Sequence, residues 1–243
     1  MKKHVLITGA NHGLGLSLTK VFLSHGYTVF AGVYQLNDDS QINSIKGADG
    51  LHLVDMDVSS TQSIREAAAL ISGLTSSIDI LINNAGILCH DSYTGDDRTI
   101  LDTLDPDSMI DPFNVNALGA LRVSNAFAPL LICGGDKLLI NISSEAGSIS
   151  DCARTQWFGY CMSKAAMNMA GALMHNELVK HGGQVWQIHP GWMQTYMHGN
   201  RNEKADYPPD FTAERLYDLV RNADEHKSQN VVFMDLFGKD IAW

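Results

Sequence analysis

Basic residues are scarce in this chain of 243 residues: Lys and Arg total 17 against 27 Asp and Glu, a formal net charge of −10. No Lys/Arg cluster stands out, so electrostatics offer no basis for holding nucleic acid or an anionic membrane. Cysteine is sparse too. Cys89, Cys133, Cys152 and Cys161 form no C-x-x-C and no zinc-finger spacing, which points to free thiols in a reducing cytosol. The histidines contain no H-x-H or H-E-x-x-H, so no metal site is expected. No apolar run approaches the length of a membrane span. The short run after Met1-Lys2-Lys3 is cut by Gly9, too early for a signal peptide. In a chain expected to stay in the cytoplasm, the sequon Asn141-Ile142-Ser143 reads as accidental. Repeats and low-complexity linkers are absent.

What is present is a steady alternation. Hydrophobic residues make up 45% and charged residues 18%, the balance of a compact folded chain. Short apolar runs at 5–8, 28–33, 51–56, 78–82, 137–142, 185–189 and 231–234 alternate with helical patterns at 14–25, 63–72, 113–131, 160–181 and 212–222. Such alternation predicts right-handed β-α-β units: a single α/β domain over 1–243, doubly wound, with a parallel sheet covered by helices on both faces. Ligands of such folds bind outside the carboxyl ends of the strands.

The first such strand end carries Thr8-Gly9-Ala10-Asn11-His12-Gly13-Leu14-Gly15. Gly9 permits the tight turn, Gly13 lets backbone approach a pyrophosphate, and Gly15 lets helix pack on strand; the helix N-terminus supplies N–H groups for the anion. A purely structural glycine turn is the plainer alternative. The turn residues Gly9, Asn11, His12, Gly13, Leu14 and Gly15, with Tyr34 at the close of the second strand, are the candidate cofactor contacts. That strand ends Val33-Tyr34-Gln35, with neither the acid that suits NAD nor the Arg that suits NADP. Asp38 and Asp39 come late enough to be loop residues. Without an acid to repel a 2′-phosphate, NADP(H) is favoured and NAD(H) stays possible.

Tyr160 and Lys164 stand one helical turn apart, so both project from one face. A free phenol titrates near 10, and an ammonium beside it favours the phenolate, drawing Tyr160 towards the range of an acid/base catalyst. Most Y-x-x-x-K pairs are mere surface neighbours; here Asn83-Asn84-Ala85-Gly86, Asn116 and Ser144 accompany it. Ser144 closes an apolar strand, where a hydroxyl bonding local backbone is the bland alternative, and Ser143 is one position away. Asn116 has the same bland reading as a helix-interior Asn.

In order and spacing, Thr8-Gly9-x-x-x-Gly13-x-Gly15, Asn83-Asn84-Ala85-Gly86, Val115-Asn116, Ile142-Ser143-Ser144, Tyr160-x-x-x-Lys164 and His189-Pro190-Gly191-Trp192 resemble the short-chain dehydrogenase/reductase family over essentially the whole chain. Gly147-Ser148-Ile149, Ser163-Lys164-Ala165-Ala166-Met167-Asn168 and the closing Ile241-Ala242-Trp243 are most similar to its carbonyl-reductase-type group of Sniffer and C-factor proteins. The resemblance implies that Tyr160 exchanges the proton, Lys164 lowers its pKa and holds the nicotinamide ribose, Ser144 binds the substrate oxygen and Asn116 helps order a water. It further implies that Asp57 and Val58 flank the adenine, that Asn84, Ala85 and Gly86 line the cofactor, and that Pro190, Gly191 and Thr195 hold the nicotinamide. Segment 192–210 is expected to form a substrate lid through Trp192, Met193, Tyr196 and Met197. The expected partner is a small carbonyl or alcohol substrate. The long helical patterns at 113–131 and 160–181 suggest a homodimer or homotetramer by family habit. A nucleotide-sensing regulatory protein and an epimerase or dehydratase on the same fold are the alternatives.

Overall fold

The computed structural model describes residues 2–37, 40–88, 98–195, 197 and 202–243. Seven strands lie in one parallel sheet: β1 (His4–Thr8), β2 (Thr28–Val33), β3 (Leu51–Asp55), β4 (Ile80–Asn83), β5 (Leu138–Ile142), β6 (Gln184–His189) and β7 (Val232–Asp235). Their order is β3-β2-β1-β4-β5-β6-β7, so the chain winds outward from β1 in one direction and then restarts at β4 in the other. The doubly wound α/β domain expected from the alternation is the fold observed, and the switch between β1 and β4 opens the crevice in which ligands of such sheets sit.

The helices are α1 (Gly13–Ser24), α2 (Thr61–Ser72), α3 (Ile110–Phe113), α4 (Ala120–Leu131), α5 (Phe158–Leu178) and α6 (Pro209–Arg221). One apolar cluster fills the face under α1 and α6, joining Val5 and Ile7 of β1 to Leu18 and Phe22 of α1 and to Leu216 of α6. A second fills the opposite face, joining Leu6, Phe30 and Leu81 to Ile64, Phe127 and Leu178. Strands buried on both sides need apolar residues at successive positions, which is why β1, β2, β4 and β5 read as unbroken runs. The outer strand β3 departs from that reading: it is only partly covered, with His52 and Asp55 exposed and Val54 alone fully buried.

Two departures from the sequence expectation bear on the site. The single helix expected over 113–131 is broken: a π-helical stretch, Asn114–Gly119, separates α3 from α4. The widened turn holds Asn116, whose side chain bonds Ile87 after β4. The helical pattern at 160–181 ends as a 3-10 turn, Val179–His181, after α5. Asn141 of the sequon is fully buried in the middle of the sheet, where it accepts from Asn83 at 2.8 Å. At the C-terminus, the Trp243 carbonyl accepts from the Ser150 backbone N–H at 2.8 Å and its ring packs on Phe233, so the chain end braces the loop that follows Ser144.

Candidate active site

A cleft of about 1600 Å³ runs along the carboxyl ends of the strands, from Tyr34 and Gln41 at one end to Trp157, Trp192 and Phe237 at the other. Pockets for a single small molecule reach roughly 1000 Å³. This cleft therefore has the capacity for a dinucleotide and a second molecule.

Its floor is the glycine turn. Gly9 has φ +67° and Gly13 φ +56°, values L side chains rarely adopt. Gly15 is required by space: a Cβ there would lie 2.2 Å from the Gly9 carbonyl oxygen. Gly9, Asn11, His12, Gly13 and Leu14 line the cleft, whereas Gly15 lies beneath it as the packing contact between α1 and the turn. Asn84 stitches the turn to β4: its amide donates to the Thr8 carbonyl at 2.9 Å and the Gly9 carbonyl at 3.2 Å, while the Thr8 hydroxyl accepts from the N–H groups of Asn84 and Ala85, each at 3.0 Å. At α1, neither a capping side chain nor an acidic residue in the first turn satisfies or repels at the helix N-terminus. Free N–H groups and positive dipole thus face the cleft, which fits a dinucleotide phosphate.

Other candidate contacts follow the same wall. The Asn11 side chain clasps the Tyr34 backbone through bonds of 2.7 and 2.9 Å, fixing the exit of β2. Tyr34, Asp57, Val58, Ala85 and Gly86 all line the cleft. Asp57 is partly committed, since its Oδ1 accepts from the Ser59 N–H and hydroxyl at 2.8 and 2.6 Å. Asp38 and Asp39 lie outside the described residues. Pro190, Gly191 and Thr195 line the opposite side, with Thr195 facing the glycine turn: its Cγ2 is 3.8 Å from where a Gly13 Cβ would stand.

The sequence candidates for chemistry converge where β5 ends and α5 begins. Ser143 and Ser144 face different ways. Ser143 points inward and donates to Asn168 Oδ1 at 2.6 Å; Ser144 Oγ donates to Glu145 Oε2 at 2.7 Å and accepts from the Ala146 N–H at 3.1 Å. The Ser144 hydroxyl lies close enough to the Tyr160 phenol to favour its ionised form. Lys164 is buried, donates to the Ile142 carbonyl at 2.8 Å and holds its ammonium 5.7 Å from the Tyr160 ring centre. Asn116 is fully enclosed and does not line the cleft; its Oδ1 accepts from Ile87 N–H at 2.8 Å and its amide donates to the Ile87 carbonyl and the Ser163 hydroxyl. It joins the β4 exit to α5, and one lone pair of Oδ1 is all that these bonds leave over.

The electrostatics differ from the sequence expectation in one respect. The ammonium was expected to draw the Tyr160 phenol down, yet burial dominates in the protein alone and pushes the phenol up to about 12, against the pull of the Ser144 hydroxyl. Burial also brings the Lys164 ammonium down to about 8. Tyr160 accordingly keeps its proton at neutral pH.

The lid candidates fare unevenly. Trp192, Met193 and Met197 line the cleft, and Trp192 is 52% exposed; Tyr196 lies outside the described residues. Trp192 and Gln194 are tied by backbone bonds to Tyr207, and α6 already begins at Pro209, inside the expected lid segment. Sequence reasoning passed over Glu145, Arg154, Trp157, Tyr207 and Phe237, all of which line the cleft. Glu145 carried a signal, being a charge directly after a strand-end serine. Trp157 did not: its left-handed backbone, φ +67°, just before α5 is visible only in three dimensions.

Several known proteins are similar to this chain. C-signal of Myxococcus xanthus is 34% identical over 170 residues, which span 70% of this chain and 95% of that protein. An NADPH-bound carbonyl reductase from chicken fatty liver has 30% identity and a TM-score of 0.84, covering 100% of this chain and 99% of that one. A Burkholderia multivorans protein solved with bound NADP has 27% identity and a TM-score of 0.86, with both chains covered in full. The family model for short chain dehydrogenase matches residues 3–206. A match of that extent, carried by motifs that the fold gathers into one cleft, makes this chain a member of the short-chain dehydrogenase/reductase family of oxidoreductases.

Proposed function

We propose that the protein interconverts a small carbonyl compound and its alcohol, with NADP(H) as the favoured hydride carrier and NAD(H) as the alternative. The observation that carries the reading is the meeting of Ser144, Tyr160 and Lys164 at one end of a cleft whose other end is built for a dinucleotide phosphate. The nicotinamide group, when bound, supplies or takes the hydride. Tyr160, protonated at neutral pH, donates to the carbonyl oxygen during reduction. Ser144 bonds the same oxygen and stabilises charge as it develops there. Lys164 places a cation beside the phenol ring and would hold the ribose of a bound cofactor.

The NADP preference is supported by a β2 exit without a carboxylate at Tyr34-Gln35 and by NADP or NADPH in two similar structures. Trp192, Met193 and Met197 form the described part of a lid over the substrate, and Trp157 and Phe237 extend an apolar wall there. The exposed apolar side chains Leu118, Leu121, Met162, Met169 and Leu173 support a homodimer or homotetramer through this face. Among the described residues no helix is long and apolar enough to cross a membrane, in keeping with a cytoplasmic enzyme.

The test is to titrate the protein with NADPH and NADH and follow cofactor absorbance against a panel of ketones and alcohols. Tyr160→Phe is expected to bind NADPH as the wild type does while turnover falls at least about a hundredfold, the low end for loss of an acid/base group. Failure to bind either cofactor sinks the proposal, and wild-type turnover in Tyr160→Phe removes the residue from its role.

A further inference from the structure

The residue at the entrance to α5 breaks two local rules. A helix N-cap ordinarily takes extended backbone and a short polar side chain that accepts from the first turn. Trp157 holds that place with φ +67° and ψ +36° and makes no side-chain cap, while its carbonyl accepts the Cys161 N–H at 2.9 Å. Glycine or asparagine adopts such backbone readily; a bulky side chain rarely does. Backbone held against preference collects where a site needs the side chain it carries.

The indole lines the cleft together with Tyr160. The two rings meet at 79° with centres 6.0 Å apart, an edge-to-face contact. The Arg154 guanidinium lies 5.7 Å from the indole centre, and Arg154 is in turn paired with Glu145 Oε1. Glu145 is anchored by His189, whose Nδ1 lies 3.1 Å from its Oε2. Guanidinium and phenol together fix the orientation of the indole, and a molecule that sets an oxygen on Tyr160 lies beside it.

This end of the cleft offers more rings than spare charges. Trp192 and Phe237 are both more than half exposed there, and the thioethers of Met193 and Met197 suit aromatic partners. Among the described residues, the cations at this end are Lys164, buried near Tyr160, and Arg154, committed to Glu145. His189 is held below its ordinary range by burial, against Glu145 and Asp235. An anionic substituent would meet the carboxylates of Glu145 and Asp235 with no uncommitted cation to pair it.

We propose that Trp157 is a specificity-determining residue that selects uncharged aryl carbonyl compounds, their ring packing on the indole while the carbonyl oxygen meets Tyr160. The inference rests on the proposed function and names its substrate class.

The test compares kcat/KM with NADPH for acetophenone and for cyclohexyl methyl ketone, which is of nearly the same size but carries a saturated ring. A ring-to-ring contact is worth about a two- to tenfold preference beyond burial. In Trp157→Asn and Trp157→Leu the aryl-to-cyclohexyl ratio is expected to fall about two- to tenfold, whereas Trp157→Phe keeps it near the wild-type value. Asn suits both the left-handed backbone and the N-cap, so that variant is expected to fold, with thermal midpoint and NADPH affinity as controls. The wild type is expected to reduce 4-acetylbenzoate at least about tenfold less efficiently than acetophenone. A ratio unchanged in the Asn and Leu variants, an equal loss on both ketones, or 4-acetylbenzoate reduced as well as acetophenone overturns the inference. Ketone turnover with an unchanged ratio removes Trp157 alone; a wild type that binds NADPH and reduces no carbonyl compound ends the proposed function and this selection with it.

Discussion

Lys164 should make the protein less stable, and the amount can be worked from its surroundings. Its ammonium is buried with one described hydrogen bond, to the Ile142 carbonyl at 2.8 Å, and desolvation brings it down to about 8 from 10.5. A group whose charged form is disfavoured in the fold binds fewer protons folded than unfolded between those two values, so stability rises with pH across that window. The difference of 2.5 units, at 1.36 kcal/mol each, amounts to about 3 kcal/mol of penalty at neutral pH. Lys164→Met removes that penalty and leaves the Ile142 carbonyl unbonded, at a cost of about 1 kcal/mol. The variant is expected to be about 2 kcal/mol more stable at pH 7, a rise of roughly 4–8 °C in Tm for a chain of this size, and to lose most turnover. Urea unfolding of both proteins at pH 7 and pH 10 checks the reasoning: the lead should vanish or reverse at the higher pH. Tyr160, raised to about 12, favours the folded state through its neutral form, a contribution present below pH 10 and lost as pH rises towards 12, so it acts outside this window. A variant that is less stable at pH 7, or whose difference from the wild type does not change with pH, refutes the argument.

The two adjacent serines should separate cleanly. Ser144→Ala is expected to lower kcat by about a hundredfold at unchanged NADPH affinity, whereas Ser143→Ala, which frees Asn168 Oδ1 in the interior, should keep turnover and lose about 1–2 kcal/mol in urea unfolding. Gly15→Ala forces a Cβ to 2.2 Å from the Gly9 carbonyl; calorimetry should show destabilisation of about 1–3 kcal/mol and fluorescence a weakened NADPH complex. Gln187 is wholly buried in β6 and neither amide atom meets a partner among the described residues, so Gln187→Met should stabilise by about 1 kcal/mol in thermal melts.

Much of the fold was legible because buried parallel strands demand unbroken apolar runs, and helices covering them demand a helical period. The partial exposure of β3, where His52 and Asp55 meet water, was not legible in the same way, since it depends on a place at the sheet margin that strand order decides. The break around Asn116 was equally hidden, since a π-helical turn leaves no local signature and arises here from bonds to Ile87, 29 residues away in sequence.

The sequence by itself determined the parallel α/β architecture, the glycine turn, and that Tyr160 and Lys164 share one face of α5, because these depend on period, spacing and backbone freedom. Only the tertiary structure decided which serine bonds Asn168 in the interior and which bonds Glu145, that Asn116 acts as a brace between elements, and that Glu145 and Arg154 stand near Tyr160. It also reversed the direction of the Tyr160 shift. The physical reason is common to all four: hydrogen-bond direction and the desolvation of a charge are set by neighbours that the fold brings in from distant parts of the chain, and local spacing carries no record of them.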